Sequence, residues 1–125
     1  MGLWRFMDYC SEAGNNLIEE WYEDQDPAVQ ADFDTVLKTL SMAQSWHGMQ
    51  EFKALGDGLY ELRFKTGRVQ YRPAGSFGPG RMVFTIWIGC CKKMNIYDPP
   101  DAFERAKKRR SLHQQGKGSL CERTI

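Results

Sequence analysis

The 125-residue chain contains no apolar run near the ~18 residues of a membrane-spanning helix; its longest, residues 82–91, reads as a buried strand. The opening MGLWRFMDYCSEAG carries Asp8 and lacks the apolar stretch of a secretory signal, so a cytoplasmic location is expected. Only four cysteines occur, none as CxxC, and the adjacent Cys90 and Cys91 would face opposite sides of a strand. The two histidines, His47 and His113, stand at no ligand spacing to them. Reduced, mostly buried thiols are expected, with neither a metal nor another cofactor. GxSxG, HExxH and the P-loop pattern are all missing, which excludes the hydrolase, zinc-protease and nucleotidase chemistries those motifs carry.

What is present suits one domain. Apolar residues make up 42% of the chain and aromatics 13%, enough to fill a core at this length. Residues 1–115 are read as a single domain and 116–125, with Gly116 and Gly118, as a flexible tail. Net charge is +1, yet it is divided unevenly. Residues 1–57 hold three Lys/Arg and eleven Asp/Glu, a balance of −8; residues 58–125 hold fourteen and five, a balance of +9. An asymmetry of this kind points the second half toward an anion, although a solvated charged surface would look the same in composition.

Spacing outlines the elements. Residues 3–10 read as a first strand. Asn16 caps a short helix, with Leu17, Ile18, Trp21 and Tyr22 forming its apolar stripe and Glu19 placed for a capping box. Asp26-Pro27 starts a second helix, in which Val29, Phe33, Val36, Leu37, Leu40 and Ala43 recur at helical spacing to about Trp46. Gly48 and residues 56–58 mark loops. From Leu59 the period becomes two: Tyr60, Leu62 and Phe64 alternate with Glu61, Arg63 and Lys65, and after a turn at Thr66-Gly67, Val69 and Tyr71 alternate with Arg68, Gln70 and Arg72. That register sets Lys65 opposite Arg68, Arg63 opposite Gln70 and Glu61 opposite Arg72, all on one face. Pro73 should end or bulge the strand, and residues 76–80 should turn. Residues 81–89 form the best central strand, and a last helix spans about 99–115. The expected order is β-α-α-β-β-β-α, an α+β fold with the two N-terminal helices on one face of an antiparallel sheet and the basic row on the other.

The candidate chemistry is cationic. Cleavage of RNA by its own 2′-hydroxyl needs an acceptor for that proton, a donor for the leaving 5′-oxygen and cations for the charge gathering on phosphorus. Arg63 and Arg72 suit the last task, because a guanidinium matches phosphate bidentately and stays charged. Lys92, Lys93 and Tyr97, just beyond the apolar strand, complete the expected catalytic set, and a tyrosine among cations is expected to titrate more easily. Lys65, Arg68, Arg81, Lys107, Lys108, Arg109 and Arg110 are the expected RNA-binding residues. The competing reading of each is a surface ion pair or a solvated helix face.

Four segments in order, GLYELR at 58–63, YR at 71–72, GCCKK at 89–93 and ERAKKRR at 104–110, resemble the phage-derived, HigB-like branch of the RelE/ParE toxin superfamily across about residues 15–112. Ile88 stands where that branch often has histidine, and Cys90 and Cys91 stand where an aromatic or basic residue is usual. The resemblance implies a RelE-like microbial RNase fold. It implies the toxin of a type II toxin–antitoxin system, a metal-independent, ribosome-associated endoribonuclease that cuts mRNA and inhibits translation, with a cognate helix-turn-helix antitoxin. By motif position it assigns Arg72 and Lys93 to phosphate stabilisation and Tyr97 or Lys92 to proton transfer. The alternatives are a ParE-like toxin that binds DNA gyrase and a non-catalytic, phage-derived module that binds nucleic acid or protein.

Overall fold

A computed structural model describes residues 2–125. It is an α+β fold, in which three helices pack on a mixed sheet of six strands and a smaller sheet of four. Strand β1 (Arg5–Cys10) leads into α1 (Leu17–Glu23) and α2 (Pro27–Ser41). As expected, Asn16 caps α1, its side chain accepting from the N–H groups of Ile18 and Glu19 at 3.0 and 2.8 Å. Glu19 does not close a capping box; it reaches Arg123 instead, at 2.8 Å. Pro27 occupies the first turn of α2, where its missing N–H costs nothing. The stripe Val29, Phe33, Val36, Leu37 and Leu40 is buried, but the helix ends at Ser41, short of Trp46.

The chain then forms β2 (Phe52–Gly56), β3 (Leu59–Leu62), β4 (Phe64–Thr66), β5 (Val69–Tyr71), β6 (Ala74–Phe77) and β7 (Val83–Ile88). The short strands β8 (Cys91–Lys93) and β9 (Ile96–Asp98) precede α3 (Ala102–Gln114) and β10 (Ser119–Arg123). The larger sheet runs β10-β1-β7-β6-β3-β2, with β1 parallel to β7 and every other pairing antiparallel. The smaller runs β4-β5-β8-β9.

Four expectations are corrected. Residues 119–123, read as part of a loose tail, form an edge strand, because β1 would otherwise leave a row of backbone groups unpaired. Ser76 and Phe77, read as a turn, belong to β6. The hairpin turns at Gly67-Arg68: Thr66 lies opposite Val69, Lys65 opposite Gln70 and Phe64 opposite Tyr71. This shifts the register by two residues, so each side chain keeps the face its alternation assigned. The face opposite α1 and α2 is not open, since α3 covers it at β6 and β7; of the basic row, Arg72 is buried and Arg63 half-buried, while Lys65 and Arg68 stay exposed.

The larger sheet is therefore covered on both sides. One core holds Phe6, Ile18, Phe33, Leu37, Trp46, Phe84 and Ile86 beneath α1 and α2. The other holds Tyr9, Leu59, Trp87, Ile88, Ala102 and Ala106 beneath α3. All six residues of β7 are buried, as a strand sandwiched between two apolar layers requires. A Cβ on Gly89 would come within 2.0 Å of the Trp21 indole, which lies directly against that backbone. This gives the glycine of the GCCKK segment a steric reason.

Candidate functional site

The long hairpin from β3 to β6 passes from one sheet to the other part-way along. Its pairing continues through Glu61 opposite Ala74, the Leu62 N–H donating to the Pro73 carbonyl at 2.8 Å, and Phe64 opposite Tyr71. At the crossing, Arg63 and Arg72 turn away from each other. The Arg63 N–H donates to the Glu51 carbonyl at 2.8 Å and the Arg72 N–H to the Cys90 carbonyl at 2.9 Å. Pro73, without an N–H, is tolerated at this break.

The crossing brings both guanidinium groups beside Glu61, which is 3% exposed. Glu61 Oε1 is 3.4 Å from Arg63 Nε and 3.7 Å from Arg72 Nε, while Oε2 accepts the Tyr97 hydroxyl proton at 2.8 Å. The Tyr97 ring meets Phe103 of α3 edge-on at 4.6 Å, and Lys92 Nζ lies 5.2 Å from its centroid. Lys92 occupies the register position between Gln70 and Tyr97, on the neighbouring strands β5 and β9.

Arg72 is buried and largely engaged. Its Nη1 donates to the carbonyls of Tyr71 at 2.9 Å and Phe64 at 3.4 Å, and its Nη2 donates to Gln70 Oε1 at 2.7 Å. Its Nε is buried with no hydrogen-bond partner among the described residues. Burial, and after it the charge of Arg63, draws the Arg72 pKa below the usual guanidinium value, but such a group remains a cation at neutral pH. Burial, reinforced by the bond to Glu61, pushes the Tyr97 phenol above the ordinary tyrosine range, opposite to the downward shift expected from nearby cations. Cys90 donates its S–H to the Arg72 carbonyl at 2.9 Å, and burial lifts its thiol to about 12.

With that geometry in place, one comparison decides the family. The model described as Phage derived protein Gp49-like (DUF891) matches residues 20–111. The chain belongs to the Gp49-like phage-derived family. That family falls within the RelE/HigB-like toxin group and is compatible with a toxin of a toxin–antitoxin pair. No curated protein and no solved structure matches the chain.

On this Gp49-like chain, Arg63, Arg72 and Tyr97 converge on Glu61, and Lys92 lies over the Tyr97 ring. Lys93 is exposed at the next position of β8, opposite Ile96, beside a turn whose two residues, Met94 and Asn95, have positive φ. Lys65 joins Arg63 and Arg72 around a depression of about 350 Å³ that also includes Gln50 and Glu51. Arg68 is exposed at the hairpin turn. Arg81 precedes β7, at the end opposite the cluster.

The basic run of α3 is divided among different tasks, because successive helical residues point to different sides. Lys107 pairs with Asp57 at 2.7 Å. Lys108 lies toward Tyr9, Glu12 and Leu17. Arg109 donates to the Trp87 carbonyl at 2.9 Å and is held below its usual pKa by burial. Arg110 reaches back to Gly58, where an added Cβ would stand 3.4 Å from its Nη1. Among the described residues no group of three or more His, Cys, Asp or Glu is placed to hold a metal ion.

Glu61 is the residue that sequence reasoning undervalued. Its alternation placed it among the cations, but a single carboxylate in a basic row reads as a surface partner. Only Tyr97, itself backed by Phe103 of α3, and the two arginines closing on it make it the hub.

Proposed function

We propose that this protein is the toxin of a type II toxin–antitoxin system and cuts mRNA on the ribosome, without a metal, thereby inhibiting translation in the cytoplasm. The observation that carries this reading is the convergence of two arginines and a tyrosine on one buried carboxylate, with Lys92 over the tyrosine ring. The cluster holds more positive than negative charge, so a phosphodiester at its rim meets a field that favours the dianionic transition state.

Arg63, half-exposed, is the guanidinium free to face a phosphate, together with Lys92 and Lys93. Arg72 is a positioning residue: its fork is bound to carbonyls and Gln70, and it acts by holding the hairpin crossing and Glu61 in place. Tyr97 keeps its proton at neutral pH. Its oxygen can accept the 2′-hydroxyl proton as its own passes to Glu61, and Lys92 can protonate the departing 5′-oxygen. The 2′-oxygen bonds to phosphorus as the P–O5′ bond breaks, leaving a 2′,3′-cyclic phosphate. A helix-turn-helix antitoxin encoded alongside the toxin would neutralise it by covering this cationic rim with acidic and apolar residues.

The engagement of the Tyr97 hydroxyl by Glu61 and of Arg72 by carbonyls favours one second reading, a toxin or phage-derived module that binds its target without cutting, DNA gyrase in the case of a ParE-like toxin. Controlled expression in a bacterium, with primer-extension mapping of a translated mRNA, separates the two. New cuts within the reading frame, lost in Arg63→Ala, are expected. Growth arrest with intact mRNA and DNA-damage signalling would replace the endonuclease with the binding toxin.

A further inference from the structure

A groove lies away from the Glu61 cluster, at the other end of β3. It has a volume of about 640 Å³, within the range of small-molecule sites, and its lining includes Gly58, Ser76, Trp87, Arg110, His113 and Gln114. Trp87 and Ser76 form its floor, where the indole N–H donates to Ser76 Oγ at 2.8 Å and leaves the hydroxyl proton for an acceptor in the groove. His113 leans over Trp87 with ring centroids 5.7 Å apart.

Arg110 provides the charge. Its charge is felt by Asp57, but that carboxylate is taken by Lys107 at 2.7 Å, and among the described residues Arg110 makes no ion pair within 4 Å. Gly58, at φ +73°, makes room for the guanidinium. A cation, an imidazole, a hydroxyl and the Gln114 amide around one open groove match a phosphate and the polar edge of a base, not an apolar ligand.

One face of α3 runs from the cluster to the groove. Phe103, Lys107, Arg110 and Gln114 recur at i, i+4, i+7 and i+11, one face of α3. Phe103 touches Tyr97 at one end, and Arg110 enters the groove at the other. From Phe103 to Arg110 the helix rises about 10 Å. From Glu61 back to Gly58 the strand covers about 10 Å as well. That span corresponds to about three stacked nucleotides of one strand.

We infer that the Ser76–Trp87–Arg110–His113 groove is a second nucleotide subsite, which holds single-stranded RNA about three nucleotides from the bond placed at the Glu61 cluster. The inference rests on the proposed endonuclease and adds the path of its substrate.

The test uses the purified full chain with two probes, uridine 5′-monophosphate and an uncleavable 2′-O-methyl oligoribonucleotide, following the Trp87 indole and His113 ring signals by NMR. Both probes should shift these signals. Arg110→Ala should abolish the mononucleotide shifts, weaken oligonucleotide binding about tenfold and lower its salt slope by about one. Arg110→Lys, which keeps the charge, should restore most of the binding and guards against a folding defect. Oligonucleotide binding that Arg110→Ala and His113→Ala change less than twofold, with silent groove signals, would overturn the subsite and leave the endonuclease standing. Groove signals that respond to the mononucleotide in a protein that cuts no mRNA would sink the endonuclease and keep the subsite.

Discussion

Two buried carboxylates anchor this molecule, and they are treated in opposite ways. Asp8, on β1, is fully partnered. It accepts from Arg123 Nε at 2.9 Å and Asn16 Nδ2 at 3.0 Å, and Arg123 Nη2 lies 2.9 Å from its second oxygen. The same guanidinium reaches Glu19 at 2.8 Å and stacks over Tyr22 at 5.0 Å. Glu61 has one short bond, from Tyr97, and two arginines at 3.4 and 3.7 Å, one of which keeps a buried N–H without a partner. Around Asp8 two carboxylates share one guanidinium; around Glu61 two guanidiniums share one carboxylate. The saturated cluster fastens the last strand onto the fold. The unsaturated one retains positive charge and free donors, the condition a phosphate-handling site requires.

The largest effect should come from breaking the saturated cluster. Arg123→Ala leaves Asp8 buried without its counter-charge and should cost about 3–5 kcal/mol of stability in urea denaturation. A loss below about 1 kcal/mol would mean that β10 is held by its backbone ladder alone. Arg63→Ala should behave oppositely: mRNA cleavage falls about 10²–10³-fold, while stability changes by about 1 kcal/mol or less because the side chain is 36% exposed. Equal losses of stability from both substitutions would erase the distinction between the clusters.

Glu61→Gln tests the hub with a smaller effect, about 1–3 kcal/mol of stability from an altered buried hydrogen bond. It should also lower the Tyr97 pKa, read from phenolate absorbance. In the wild type, burial and Glu61 raise that pKa, so the folded state favours the neutral phenol. This contribution to stability is complete below about pH 10 and is lost as pH rises through the higher folded value. The smallest effect is chemical: an alkylating reagent should label exposed Cys121 first and leave Cys90 and Cys10 untouched, because both are buried with thiols lifted to about 12. Rapid labelling of Cys90 would show that the layer behind Arg72 opens to solvent.

Much of the scaffold was legible before folding. The spacing of Phe33, Leu37 and Leu40 marked α2, Asn16 marked the start of α1, and residues 82–91 marked the central strand. The alternation from Leu59 to Arg72 put Arg63 and Arg72 on one face even though the turn was placed one residue early, since a shift of two in register preserves the faces. The strands β2, β6, β8, β9 and β10 were not legible. They are three to five residues long, too short for a periodic signal, and they exist because a neighbouring strand offers its edge.

The candidate site divides along the same line. Which residues are cations, and on which side of a strand or helix each stands, follows from composition and from the fixed periods of two and 3.6. Residue order alone therefore determined the amphipathic helices, the apolar central strand and the common face of Arg63 and Arg72. Tertiary structure decided which charges are exposed and which are used. It buried Glu61 behind Tyr97, tied the Arg72 fork to carbonyls and Gln70, divided the run from Lys107 to Arg110 between an ion pair, a carbonyl and a groove, and drew Arg123 across to Asp8. Those outcomes depend on what packs over each charge, and the covering residues lie tens of positions away in the chain, where no local spacing records them.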